Sequence, residues 1–329
     1  MSYDVIGIGN AIVDVISHGE DTFLDHMGIE KGIMQLIEKD RAEVLYAAMS
    51  GRVETPGGSV ANTLAGIGGL GLSTAFIGKV KDDALGKFYA KGMADSGTAF
   101  PNPPVAEAEA PTSRSMIFVS PDGERSMNTY LGAGADLDAG DVAQDVFAGG
   151  KLLFLEGYLF DKDEGKSAFR AAAGMMRAAG GLSGISLSDP FCCDRHRDDF
   201  QALIADEMDY VIGNEDEWKT LYQTDTVEAA LDMAGAVCET LVCTRSGDPV
   251  LLRQGDERAE APVTRVVPVD ATGAGDQFAA GFLYGFAKGA PLEVCGKMGV
   301  VAAAEVIGHI GPRPKADMLA LFSQAGLQA

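Results

Sequence analysis

The chain has 329 residues, 47% hydrophobic and 22% charged, and a formal net charge of −22. That is the composition of a globular protein with room for one large α/β domain or two modest ones. It argues against nucleic acid or an anionic membrane surface as partner. No run of about 20 apolar residues is present to cross a bilayer. No signal peptide is read before the first strand, and the five cysteines (Cys192, Cys193, Cys238, Cys243, Cys295) are odd in number without paired metal spacing. A cytoplasmic protein is expected.

Residues 3–9 read as a strand that ends at Asn10, and Asp14 follows inside the apolar run 11–16. This predicts Asn10 and Asp14 at the C-terminal end of a parallel strand, where open α/β sheets bind ligands. An acid in an apolar run must be paired or must meet a hydroxylated ligand, unless it serves as a turn or cap. Residues 33–37 predict a short strand and 40–49 a helix. Two further short strands, 113–120 and 125–130, are joined by the turn 121–124. The insertions 15–40 and 98–131 are therefore expected to form one small sheet, a cover over a cleft from which water must be kept.

Residues 56–64 open a helix with Val60, Leu64 and Ile67 on one face. Its glycines, Gly57 and Gly58, let backbone approach a ligand, and Asn62 offers a donor and an acceptor. The same stretch also reads as a plain helix start capped by Ser59. Residues 66–71 match the spacing of a dinucleotide glycine motif but follow a helix rather than a strand, so the match is rejected. Residues 165–167 imitate the end of a phosphate-binding Gly-Lys-Ser loop, but Phe160 stands where its first glycine belongs.

From residue 150 strands alternate regularly with helices: strands at 152–155, 185–188, 209–213 and 240–244, helices at 163–180 and 197–207, then a hairpin into 250–253. This predicts a mainly parallel, three-layer sheet. Asn214 and Glu217 directly follow a strand, a spacing suited to a hydrated magnesium ion held through water or to an ordinary acidic helix start. Near the end, Val263, Val266, Val267 and Val269 predict a strand, and Phe278, Phe282 and Phe286 a buried helix.

Between them lies Asp270-Ala271-Thr272-Gly273-Ala274-Gly275-Asp276. The free amides of a helix start favour an anion, and a carboxylate there would repel it. Asp276 makes sense if an incoming hydroxyl must be oriented and relieved of its proton while a phosphoryl group is held nearby. Taken alone, it also reads as a first-turn acid complementing the helix dipole.

Assembled, these stretches resemble the ribokinase-like (PfkB) carbohydrate kinases over essentially the whole chain, most specifically in residues 270–276. Ala271 departs from the usual Thr or Ser. The resemblance implies a single α/β/α kinase domain over 1–329 with a small β-sheet lid. It implies Asp276 as base and Gly273, Ala274 and Gly275 as anion hole. Asn10, Asp14, Gly57, Gly58 and Asn62 would hold substrate hydroxyls, and Asn214, Thr244, Arg245 and Gly247 would bind ATP. Glu217 would meet Mg2+ through water, and Asp270 and Thr272 would lie near the K+ site of some members. Within the family, residues 9–14, 31–38, 125–128 and 187–191 are similar to adenosine kinases, with Leu36, Met116, Phe118 and Phe191 as candidate walls for a base. The expected reaction is phosphoryl transfer from ATP to a primary hydroxyl of a nucleoside, adenosine to AMP, by a monomer or homodimer. The alternatives are a ribokinase- or fructokinase-type sugar kinase and a non-catalytic nucleoside- or sugar-binding regulator.

Overall fold

Runs of branched and aromatic residues form fourteen strands in the computed structural model, which describes residues 2–329. In chain order they are β1 (Val5–Ile8), β2 (Ile12–His18), β3 (Met34–Leu36), β4 (Val53–Gly57), β5 (Thr74–Ile77), β6 (Thr98–Ala99) and β7 (Ser113–Val119). They continue as β8 (Arg125–Tyr130), β9 (Leu152–Glu156), β10 (Leu182–Ser186), β11 (Tyr210–Asn214), β12 (Thr240–Arg245), β13 (Asp248–Gln254) and β14 (Glu257–Ala261).

Nine strands make the large sheet, in the order β14-β13-β12-β11-β10-β9-β1-β5-β6. Its pairs are parallel except for the terminal hairpins β12–β13 and β13–β14. Parallel strands need crossovers, and the intervening helices cover both faces. On one face Ile6, Leu153, Ile185 and Val211 pack with Phe169, Phe200 and Trp218. On the other, Val5, Phe154, Tyr210 and Val242 pack with Leu64, Ile67, Phe278 and Phe282. Alternate residues of each strand feed opposite cores, so the expected three-layer α/β/α architecture is observed.

The remaining strands form a second, smaller sheet in the order β3-β8-β7-β2-β4. It is broader than the segments 15–40 and 98–131, because it takes in the start of β2 and all of β4, while β6 joins the large sheet. This also corrects the place of Asp14. It lies within β2, opposite Thr55 and Ser115, rather than at the end of a large-sheet strand. Strand alternation explains it: Val13 and Val15 are fully buried, and Asp14 emerges on the other face.

A second correction concerns 263–269. No strand forms there: β14 ends at Ala261, and Val267 is 89% exposed. Pro262 and Pro268 cannot donate to a ladder. The segment reaches the glycine loop as irregular chain, anchored by the Val269 amide on the Ile307 carbonyl (2.7 Å).

Candidate active site

The carboxyl ends of β1, β9, β11 and β12 converge on the starts of the helices Ser59–Gly69 and Ala274–Ala287. Between these ends and the smaller sheet lies a cavity of about 630 Å3. Asn10, Asp14, Gly58, Asn62, Asn214, Glu217, Thr244, Thr272, Gly275 and Asp276 all line it. This is where an open α/β sheet gathers a ligand, since loop and helix-start dipoles meet there.

Both helix starts depend on glycine. Gly58 has φ 99°, and a Cβ there would fall 2.3 Å from the Asn10 carbonyl oxygen. Gly273 has φ 81°, with Pro312 packed beneath it, while Gly275 faces open space. The helix ladder begins with the Gln277 amide on the Gly273 carbonyl (2.8 Å), so the amides of Gly275 and Asp276 lie ahead of it. The Ala274 amide is turned to the Ala271 carbonyl (3.2 Å), which removes it from the expected anion hole.

Asp276 is held on both oxygens. Ser59 Oγ donates to Oδ1 (2.7 Å) and Asn62 Nδ2 to Oδ2 (3.1 Å). Burial pushes its carboxyl up to about 6, against these hydrogen bonds and the charge of Arg313. Ser59 thus serves the acid rather than capping its helix; the cap position belongs to Gly58. Asp14 is pushed by burial to about 7, with Arg125 and Arg313 pulling it down and Asp276 adding to the rise. Gly57 lies beside it, since a Cβ there would sit 2.4 Å from Asp14 Oδ2.

Glu156, at the end of β9, was not anticipated. Its Oε1 accepts from the amide and the Nδ2 of Asn10 (2.8 Å each), and its Oε2 from the Val60 amide (3.2 Å). One buried carboxylate therefore ties the end of β1 to the start of the Ser59–Gly69 helix, and burial raises it to about 7. Asn10 is left with Oδ1 buried and unpartnered among the described residues, an acceptor waiting for a donor. An acid ending an otherwise apolar strand, Leu152–Glu156, was the available signal.

At the far side Asn214 and Glu217 form a capping box. Glu217 Oε2 accepts from the Asn214 amide (2.7 Å) and Oε1 from Asn214 Nδ2 (2.6 Å). Burial raises Glu217 to about 7. Thr244 reaches the cavity. Arg245 instead turns back to the Pro249 carbonyl (2.8 Å), and neither it nor Gly247 lines the cavity. Among the described residues no group of three or more His, Cys, Asp or Glu side chains is arranged to hold a metal.

Asp270 and Thr272, expected near a monovalent cation, carry a protein cation instead. Arg125 Nη1, from β8, donates to Asp270 Oδ2 and Thr272 Oγ1 at 2.7 Å each. Against the upward push of burial, the Gly311 amide, Thr272 and Arg125 hold Asp270 below the usual carboxylate range. The base walls are also reassigned. Met116 and Phe118 are buried on the opposite face of β7, and the cavity wall is made by Ile12, Met34, Leu36, Met127 and Phe191. The β2–β7 register pairs Asp14 with Ser115, so Ser115 shares its face and Met116 does not.

The profile of the pfkB family of carbohydrate kinases matches residues 29–318. The chain belongs to that family. A probable sugar kinase protein from Rhizobium etli is 43% identical, with TM-score 0.91 and 100% of each chain covered. The adenosine kinase from Sinorhizobium meliloti is 44% identical, with TM-score 0.90 over 99% of this chain and 100% of that one. A fructokinase from Klebsiella pneumoniae is 27% identical over 84% of this chain and 92% of its own length. This pfkB-family protein is thus a phosphotransferase acting on a hydroxyl group of a small sugar or nucleoside, and the family implies ATP as donor. No helix among the described residues is long and apolar enough to cross a membrane.

Proposed function

We propose that this kinase transfers the γ-phosphoryl group of ATP to the primary hydroxyl of a nucleoside, with adenosine giving AMP. The observation that carries the reading is the pairing of two walls in one cavity. A polar floor (Asn10, Asp14, Asn62, Asp276) suits a ribose, and an apolar rim (Met34, Leu36, Met127, Phe191) suits a base. The 44% identity to an adenosine kinase supports it.

Asp14 and Asn10 hold sugar hydroxyls, with Asn10 Oδ1 supplying the free acceptor. Asp276 lies among groups that fix its carboxylate, and in this reading accepts the proton of the attacking hydroxyl. The amides of Gly275 and Asp276 stabilise charge on the transferring phosphoryl group. Mg2+, when bound with the nucleotide, neutralises phosphate charge. Glu217, whose oxygens each already accept from Asn214, would hold such an ion through water, as suits magnesium. The smaller sheet acts as a lid on a single kinase domain, in a cytoplasmic monomer or homodimer. A K+ ion near Asp270 and Thr272 would in this reading share them with Arg125.

A ribokinase- or fructokinase-type reading has its own support in the sugar-kinase relatives. An ATP-consumption screen with adenosine, inosine, ribose and fructose separates the two. Adenosine should give the highest kcat/KM, and turnover confined to ribose or fructose would overturn the nucleoside assignment.

A further inference from the structure

Arg313 lies between Pro312 and Pro314, far along the chain from every motif of the site. Its guanidinium nevertheless enters the site's rear wall. Nη2 donates to the Pro56 carbonyl (2.9 Å) at the end of β4, and Nε to Asn62 Oδ1 (3.3 Å). Gln277, the residue after Asp276, fixes the approach, since its Nε2 donates to both the Asn62 carbonyl (3.0 Å) and the Pro312 carbonyl (2.9 Å). Gln277 is fully buried. The helix that carries Asp276 therefore clamps the backbone beside Arg313 against the helix that carries Asn62.

A guanidinium has donors and no acceptor, whereas an amide side chain has one end of each kind. With Arg313 on one side, Asn62 must turn its oxygen to the arginine and its NH2 to Asp276, as the 3.1 Å bond to Oδ2 records. Arg313 and the Asp276 carboxylate thus select the same orientation from opposite ends of the amide, and without Arg313 it rests on the carboxylate alone.

We propose that Arg313 is a positioning residue for phosphoryl transfer: it fixes the orientation of the Asn62 amide and so keeps the Asp276 carboxylate hydrogen-bonded on both oxygens and ready to accept a proton. The proposal rests on Asp276 being the base. The groups facing Asp276 are Ser59 and Asn62 from one helix, Asp14 on β2, Glu156 at the end of β9, Tyr158 just beyond it, and Arg313. Arg313 is the cation in that set, and the acids around it all favour protonated Asp276. Removing it takes away a charge that lowers the acid's pKa and the hydrogen bond that braces the Asn62 amide from its far side, so the ionised fraction at a given pH must fall.

The test is the pH dependence of kcat and KM in the parent, Arg313→Met, Arg313→Lys and Asp276→Asn, using the best substrate of the screen. In Arg313→Met the acid limb of kcat should move up by about one pH unit, with kcat down roughly twofold near neutral pH, approaching tenfold well below pH 6, and largely recovered in alkali. KM for ATP should stay within about twofold of the parent. A cooperatively melting Arg313→Met enzyme with the parental limb, or with kcat lowered equally at every pH, would overturn the proposal. Should Arg313→Met fail to fold, Arg313→Lys decides. Its ammonium keeps the charge without the two-pronged grip, so the limb should stay near the parent's while kcat falls, and a fully parental kcat refutes the role. Full turnover in Asp276→Asn sinks the base itself, whereas an inactive Asp276→Asn beside an unmoved Arg313→Met limb sinks Arg313 alone.

Discussion

The two walls of the cavity are built differently. At the edge of the large sheet the polar groups are cross-braced: Glu156 joins Asn10 to Val60, Ser59 and Asn62 grip Asp276, and Asn214 and Glu217 cap each other. These groups sit on strand ends and helix starts anchored in two large cores. The smaller sheet presents a mainly apolar surface with one acid, Asp14, and its edge strand leaves Met34 and Leu36 44% and 50% exposed. Its direct tie to the glycine loop is the Arg125 bridge to Asp270 and Thr272. A braced wall holds reacting groups to fractions of an ångström, as proton and phosphoryl transfer require. A loosely covered apolar wall can close over a substrate and select it by shape. In the proposed reading, chemistry and selectivity therefore fall to different sheets.

Substitutions on the two walls should part accordingly. The largest effect belongs to the braced wall: Asp276→Asn should lower kcat by about 10³-fold or more, because an amide cannot take the proton. Calorimetric nucleoside affinity should change little, and a large loss of affinity with kcat preserved would reverse the assignment of the two walls. Asp14→Ala, on the smaller sheet, should act mainly through KM. Losing hydrogen bonds to a charged group is worth about 1.5–3 kcal/mol, or roughly 10- to 100-fold in substrate KM, with KM for ATP nearly unchanged. Steady-state kinetics at varied substrate and fixed ATP reads this directly, and a parental KM would remove Asp14 from the site. Leu36→Ser should have the smallest effect, a few-fold drop in kcat/KM for adenosine with ribose turnover unaffected. An equal drop for both would mean that Leu36 supports the fold rather than the base.

The same contrast explains what could be read in advance. Gly58 and Gly273 were legible as helix starts because the positive φ of a tight turn favours glycine, and the alternation from 150 to 254 announced the parallel sheet. The valines of 263–269 misled, since β-propensity describes a strand only if a partner edge is present, and prolines at 262 and 268 deny one. Met116 and Phe118 were assigned to the cavity because composition names an apolar residue without saying which face of the strand it takes. Arg125 and Arg313 gave no local signal of their partners, which lie 145 and 251 residues away along the chain.

By itself, then, the sequence determined the class of fold and the glycine loop that opens a helix with Asp276 in its first turn, because each follows from interactions among near neighbours in the chain. The tertiary structure decided which groups surround that acid: Ser59 and Asn62 on its oxygens, Arg313 behind Asn62, Arg125 where a metal cation was expected, and Glu156 bracing the floor. Those pairings depend on burial and charge brought together by packing, and no spacing along the chain encodes them.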